Sequence, residues 1–168
     1  MSDNNFVLII TGPTGVGKTT LCKLVAEKFG YKYISGDETK KELFPGLENI
    51  ILYPEKLEIV KNELLKRIKE MFNKKECVVV DYVILGEDYI NKFKKLFGKN
   101  LIFKVIQPSV ETTIERDKKR ECWTSGDESV KRLYKDFEES KNFIGEENYI
   151  DNSNETPQET FDKYFNKL

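Results

Sequence analysis

The chain of 168 residues contains no histidine and only three cysteines, at positions 22, 77 and 122. Without histidine, serine–histidine and cysteine–histidine catalysis are excluded, so a general base must be Asp, Glu, Lys, Tyr or Cys. No two cysteines form a C-x-x-C pair, which disfavours both a structural zinc site and a disulfide scaffold. We therefore expect a reduced, cytoplasmic protein.

The sequence also lacks a strong net charge and a long apolar run. Its formal net charge is −1, so no overall field attracts it to nucleic acid or to an anionic membrane. The first apolar run covers only 6–10 and follows no basic region, so we expect neither a secretion signal nor a transmembrane span. The length and the 39% apolar content predict one domain over 1–168.

Arginine is scarce as well, because only four of the 28 basic residues are arginines, at positions 67, 116, 120 and 132. Arg116 and Arg120 are four residues apart and share a helix face. A guanidinium group can stack on a base or clamp phosphate oxygens, which lysine does less well. The cluster predicts a need for that chemistry, and the alternative is a solvated face that pairs with neighbouring carboxylates.

Apolar patterning predicts alternating strands and helices. Strands are predicted at 6–11, 31–35, 77–80, 101–106 and 149–150. Helices are predicted at 18–29, 37–44, 54–72, 88–97, 110–119, 128–142 and 157–168. This order predicts an α/β fold with a five-stranded parallel sheet flanked by helices.

Residues 12–19 read Gly-Pro-Thr-Gly-Val-Gly-Lys-Thr and match the motif G-x-x-x-x-G-K-[ST]. The glycines let consecutive N–H groups face a phosphate, and the helix that follows adds its positive end. In this motif Lys18 is expected to reach the β- and γ-phosphates and the Thr19 hydroxyl to ligate Mg²⁺. We predict that a nucleoside triphosphate is bound by Gly12, Pro13, Thr14, Gly15, Val16, Gly17, Lys18, Thr19 and Thr20.

Two aspartates are expected at the carboxyl ends of strands, where open parallel sheets bind their ligands. Asp37 follows the strand at 31–35, and Asp81 follows the strand at 77–80. Phosphoryl transfer to a hydroxyl needs a proton acceptor and oxygen ligands for Mg²⁺. Either aspartate fits the role of the base, Glu38 is a weaker rival, and Asp37 could instead cap the following helix.

The loop, the chain length and the order of elements resemble the P-loop kinases of small molecules, which include nucleoside monophosphate, shikimate and gluconate kinases. The resemblance is nearest to the branch of chloramphenicol phosphotransferase and the kinase domain of polynucleotide kinase. It implies a three-layer P-loop NTPase fold with a short helical lid at about 116–132 and an acceptor-covering segment at about 38–72. It also implies that Asp37 is the base, which leaves Asp81 to hold Mg²⁺ through water or to touch the substrate.

The resemblance further implies an ATP-dependent kinase that transfers the γ-phosphate to a hydroxyl or phosphate of a small molecule. Its expected catalytic residues are Lys18, Asp37, Arg116 and Arg120, and the two arginines would also bind ATP as the lid closes. Thr19 and Asp81 would hold Mg²⁺. Residues 149–153 resemble a loop that contacts adenine. The role of Arg132 stays open, and Trp123 is either a stacking surface or a core anchor, of which we favour the anchor.

The expected acceptor cover carries apolar and aromatic side chains at Leu43, Phe44, Leu47, Ile51, Leu52 and Tyr53. They suit a partly apolar acceptor, or they pack on the core.

Two other functions compete with a small-molecule kinase. A nucleotide-binding regulatory switch of the GTPase kind is disfavoured because residues 81–84 lack the glycine of D-x-x-G and no N-K-x-D motif is present, which favours ATP. A polynucleotide 5'-kinase is disfavoured by the near-neutral charge and by Lys40, which stands where that family has an arginine. We therefore expect a small-molecule acceptor, no membrane, no nucleic-acid partner, and a monomer or homodimer.

Overall fold

A parallel sheet forms the centre of the molecule in a computed structural model, which describes residues 5–121 and 124–168. Its strands are β1 (Val7–Thr11), β2 (Lys32–Ser35), β3 (Val78–Asp81), β4 (Leu101–Ile106) and β5 (Tyr149–Ile150). They lie in the order β2-β3-β1-β4-β5, and every pairing is parallel. The predicted α/β fold with a five-stranded parallel sheet is confirmed. Trp123 lies outside the described residues.

Helices connect the strands and cover the sheet. They are α1 (Lys18–Phe29), α2 (Gly36–Leu43), α3 (Pro54–Asn73), α4 (Glu87–Phe97), α5 (Val110–Lys118), α6 (Asp127–Glu139), α7 (Lys141–Ile144) and α8 (Pro157–Tyr164). Gly30 ends α1 in the left-handed conformation, and Thr156 with Glu159 forms a capping box ahead of α8. Within the described ranges, no helix combines the length and the apolarity needed to cross a membrane.

The sheet has a hydrophobic core on each face, which explains why its strands are continuously apolar. Ile9 of β1 belongs to the core that contains Leu64 of α3 and Phe93 of α4. Its neighbour Leu8 belongs to the other core, with Val25 of α1 and Phe161 of α8. Helices on both faces thus leave β1 and β3 fully buried.

Some predicted boundaries are wrong. The helix expected over 128–142 ends at Glu139, and the chain continues as the separate short helix α7. The Ser140 hydroxyl donates to the Asp136 carbonyl at 2.8 Å, and such local hydrogen bonds compete with a continuous helix. The last helix ends at Tyr164 rather than at 168, and β3 begins at Val78.

The strand register places three chain segments side by side at the carboxyl edge of the sheet. Asp81 at the end of β3 is opposite Ile10 of β1 and Ser35 of β2. The loop after β1 and the start of α2 therefore both lie next to Asp81, at the edge where open parallel sheets bind their ligands.

Candidate active site

The phosphate-binding loop, Gly12–Thr19, curls between β1 and α1. Gly12, Gly15 and Gly17 have φ angles of 144°, 87° and 93°, a region that glycine enters without strain. The Lys18 ammonium donates to the carbonyls of Gly12 at 3.0 Å and Pro13 at 2.8 Å. Burial lowers the pKa of Lys18, while the charges of Asp81 and Asp37 oppose that shift, so both carboxylates act on this lysine.

Asp81 is buried and receives two side-chain hydrogen bonds. Thr19 Oγ1 donates to Asp81 Oδ2 at 2.6 Å, and the Tyr33 hydroxyl donates to the same oxygen at 3.0 Å. Burial and the charge of Asp81 raise the pKa of Tyr33, so its hydroxyl stays protonated at neutral pH. The two residues expected to hold Mg²⁺ are thus brought together. Tyr33 also bonds to Asp81, a contact that no sequence motif predicts.

The chemistry of this pair fits Mg²⁺, which takes oxygen ligands and usually keeps several waters beside one or two carboxylates and substrate phosphates. Thr19 and Asp81 supply one hydroxyl and one carboxylate. Across residues 5–121 and 124–168, no cluster of three or more His, Cys, Asp or Glu side chains could hold a metal ion. A magnesium ion at Thr19 and Asp81 would therefore need phosphate oxygens and water to complete its coordination.

Asp37 stands in the first turn of α2, and its side chain is exposed. The cap of this helix is Ser35, whose hydroxyl accepts the N–H of Glu38 at 3.2 Å. The alternative in which Asp37 itself caps the helix is therefore wrong. Asp37 lines the same cavity as Lys18 and Asp81, as expected for a base near the transferred phosphate.

Gly36 lets the start of α2 lie directly on Tyr82. A Cβ atom added to Gly36 would come within 2.1 Å of the Tyr82 ring, so a larger residue would force the two apart. Burial together with the charge of Asp37 raises the pKa of Tyr82 to about 12. Tyr82 therefore remains a neutral phenol beside the candidate base, and sequence reasoning did not single it out.

Arg116 of α5 connects the phosphate-binding loop to the loop after β5. Its guanidinium donates to the Val16 carbonyl at 3.3 Å, to Asn152 Oδ1 at 3.1 Å and to the Asn152 carbonyl at 3.0 Å. Burial lowers the pKa of Arg116, and the charge of Asp151 opposes this. The resemblance marked residues 149–153 as an adenine loop, but it did not reveal that Arg116 binds Asn152.

Asp117 is a further residue whose structural role the sequence did not predict. Its carboxylate is 3% exposed and accepts the backbone N–H groups of Ser125 at 2.9 Å and Gly126 at 3.2 Å. Arg120 approaches the same carboxylate at 3.5 Å. A Cβ atom on Gly15 would lie 2.9 Å from the Asp117 Cβ, so this residue also packs on the phosphate-binding loop.

One cavity of about 1350 Å³ joins these groups. Ligand pockets commonly measure about 300–1,000 Å³, so this cavity can take more than one small ligand. Of the predicted site residues, it is lined by Thr14, Gly15, Val16, Gly17, Lys18, Thr19, Thr20, Asp37, Asp81, Arg116 and Arg120. Gly12 and Pro13 are instead buried below it, with their carbonyls bound to Lys18. Arg132 also lines the cavity.

The expected acceptor cover divides into two groups of side chains. Leu43, Phe44 and Leu47 are partly buried and pack on the core. Ile51, Leu52 and Tyr53 are exposed, at 55%, 69% and 40%. Packing on the core is thus confirmed for Leu43, Phe44 and Leu47. Leu47 and Ile51 also line the cavity, and their contact with an apolar acceptor stays a prediction.

The fold and the site together define a kinase-like P-loop domain. A model of the AAA domain family (AAA_33) matches residues 7–139, and the chain belongs to this family. The predicted membership of the P-loop kinases is thereby confirmed.

Among curated relatives, adenylate kinase isoenzyme 1 of Cyprinus carpio is 31% identical over 129 residues, which cover 71% of this chain and 66% of that protein. The probable gluconokinase of Schizosaccharomyces pombe is 52% identical over 33 residues, which cover 20% of this chain and 17% of that protein. The chain thus spans less than two thirds of either relative.

Two solved structures share the fold at low sequence identity. A gluconokinase from Sinorhizobium meliloti aligns with a TM-score of 0.64 and 21% identity, covering 92% of this chain and 86% of that one. The tunicamycin resistance protein of Deinococcus radiodurans aligns with a TM-score of 0.68 and 16% identity, covering 94% and 92%.

Proposed function

We propose that this chain is an ATP-dependent kinase that transfers the γ-phosphoryl group to a hydroxyl or phosphate group of a small molecule. The observation that supports this most is that Lys18, the Thr19–Asp81 pair and Asp37 line one cavity. Such a cavity offers phosphate-binding groups and a candidate base together. An ATP donor also favours a cytoplasmic location, and we propose a monomer or homodimer.

For a hydroxyl acceptor, each of these side chains has a separate role in phosphoryl transfer. Asp37 accepts the hydroxyl proton, the acceptor oxygen bonds to the γ-phosphorus, and the bond to the bridging oxygen breaks to release ADP. Lys18, Arg116 and Arg120 stabilise the negative charge on the phosphate oxygens. Mg²⁺, held at Thr19 and through water at Asp81, would neutralise part of that charge when bound.

The base of ATP is proposed to lie against the surface that Arg116 forms together with the loop at 149–153. Arg116 is bonded to Asn152, and both residues line the cavity. A planar guanidinium in this position can stack on adenine while the P-loop holds the phosphates. Closure of the predicted lid at about 116–132 would then exclude water from the transferred phosphate.

An ADP-release assay over nucleosides, nucleotides, sugars, shikimate and amphenicol- or aminoglycoside-type antibiotics tests this proposal. With an accepted substrate, Asp37→Asn should lower kcat by about 10²–10⁴-fold, because it removes the base, while ATP affinity changes little. Asp162→Asn, an exposed change outside the cavity lining, is the matched control.

Full activity in Asp37→Asn would mean that another residue is the base, and Asp81 would then be the next candidate. No transfer to any acceptor would contradict the proposed kinase and would favour a regulatory switch or a macromolecular substrate.

A further inference from the structure

The cavity wall that faces the expected acceptor carries apolar and charged side chains in similar number. We define the acceptor wall as the cavity-lining residues within 37–61 and 82–85. Its apolar and aromatic members are Leu47, Ile50, Ile51, Leu57, Tyr82, Val83 and Leu85. Ile51 is 55% exposed although it lines the cavity, so its side chain is accessible to a bound molecule.

The charges of the acceptor wall balance each other. Its lysines are Lys40, Lys41 and Lys61, and its acids are Asp37, Glu38 and Glu48. The Lys40 ammonium lies 3.4 Å from the Glu48 carbonyl, and the Lys61 ammonium lies 5.1 Å from the centre of the Tyr89 ring. Two of the three lysines thus already have partners in the fold, and the wall has no surplus of positive charge for an anion.

Arginine is missing from the acceptor wall. The arginines that line the cavity are Arg116, Arg120 and Arg132, all from the α5–α6 region. Arg67, in α3, bonds instead to Glu42 at 2.7 Å and Glu63 at 3.0 Å. Phosphates and carboxylates are held best by a guanidinium fork that makes two parallel bonds, and the acceptor wall offers none.

We infer that the acceptor is an uncharged alcohol with an apolar body, not a nucleoside monophosphate or a sugar acid. This inference rests on the proposed function and narrows it. The acceptor hydroxyl lies at Asp37, where its proton is taken, and the apolar body covers Leu47 and Ile51. The arginines then serve the ATP donor alone.

Pairs of acceptors that differ in an anionic group test the inference. We would compare nucleosides with their 5'-monophosphates and, with every hydroxyl retained, alkyl glucuronides and 3-phenyllactate with their neutral methyl esters. The neutral member of each accepted pair should have a kcat/KM at least about tenfold higher, since an unpaired anion is costly next to apolar groups. Among alkyl glucosides, kcat/KM should rise with alkyl length.

A variant of the wall gives a second measurement. Ile51→Ser should raise the KM for the preferred acceptor by about tenfold, because it removes apolar contact with the bound body. Ile59→Ser is the control, since Ile59 is 50% exposed on α3 and does not line the cavity; its acceptor KM should not change.

Three results would overturn the inference. Preference for the anionic members, or an unchanged acceptor KM in Ile51→Ser, would refute it while leaving the kinase proposal standing. Absence of transfer to every member, with ATP binding intact, would refute the inference together with the kinase proposal.

Discussion

At the scale of single residues, the orientation of Asp81 depends on two hydroxyl groups. Thr19 and Tyr33 donate to the same carboxylate oxygen, and only Thr19 belongs to a recognisable motif. Thr19 is also a candidate magnesium ligand, and its hydroxyl can ligate the ion through a lone pair while its proton stays on Asp81. Tyr33 is not a candidate ligand, so its hydrogen bond serves only to hold the carboxylate in position.

Tyr33→Phe should raise the Mg²⁺ concentration for half-maximal activity by about tenfold, because partners of metal ligands commonly affect metal affinity to this extent. At saturating Mg²⁺, kcat should fall far less. The measurement is a Mg²⁺ titration of ADP release. Tyr31→Phe removes a hydroxyl from a neighbouring ring that stacks on Phe29, and it should leave the Mg²⁺ requirement unchanged. Equal requirements in wild type and Tyr33→Phe would show that this hydrogen bond does not position Asp81 for the metal.

At the scale of elements, Asp117 joins α5 to the segment that enters α6. Its buried carboxylate accepts the N–H groups of Ser125 and Gly126, and Arg120 lies at 3.5 Å. Asp117 also packs closely on Gly15. The start of α6, and with it the predicted lid, is therefore attached to the phosphate-binding loop through one side chain.

Asp117→Asn should destabilise the fold by about 1–3 kcal/mol. The amide oxygen can still accept both N–H groups in place of Oδ2, but the amide nitrogen in place of Oδ1 would face the donors of Arg120 and Ser125 in a buried site. The measurement is the free energy of unfolding in urea. Asp127→Asn is the control, because Asp127 forms an exposed pair with Lys118 at 3.3 Å, and such pairs contribute about 0–1 kcal/mol. A similar loss of unfolding free energy in the two variants would mean that Asp117 does not hold α5 to the segment that enters α6.

The elements themselves could be read from local patterns, whereas several site contacts could not. The P-loop motif and the buried strands predict β1, α1 and the position of Lys18 because the signal is contiguous. The Tyr33–Asp81 and Arg116–Asn152 bonds join residues 48 and 36 positions apart, and no local spacing encodes such partners. The end of α6 was missed for a different reason, because Ser140 fits a helical pattern while its hydroxyl bonds back to Asp136.

At the scale of the whole molecule, the strand order explains how a distributed set of residues forms one site. With β3 between β1 and β2, the ends of these strands bring together the phosphate-binding loop, Asp81 and Asp37. The rule that parallel sheets bind ligands at this edge was enough to predict that meeting. The acceptor wall was not predictable to the same degree, because the packing of residues 46–57 against the core decides which of its apolar side chains face the cavity.

Binding of a ligand at the carboxyl edge of the sheet should stabilise the entire fold. A thermal-shift measurement therefore detects nucleotide binding independently of phosphoryl transfer. ATP with Mg²⁺ at about 100 times its Kd should add about 2.7 kcal/mol to the free energy of unfolding, and thus raise Tm by roughly 5–10 °C for a chain of this size. Lys18→Ala should lose most of that shift, because the lysine would bind the phosphates.

Asp37→Asn should keep the thermal shift while losing turnover, since a base is needed for transfer and not for holding ATP. Differential scanning fluorimetry with and without Mg²⁺–ATP measures both variants beside the wild type. A shift that survives in Lys18→Ala would place the nucleotide away from the phosphate-binding loop. A shift lost in Asp37→Asn would instead make Asp37 part of the nucleotide site, and the search for the base would then turn to Asp81.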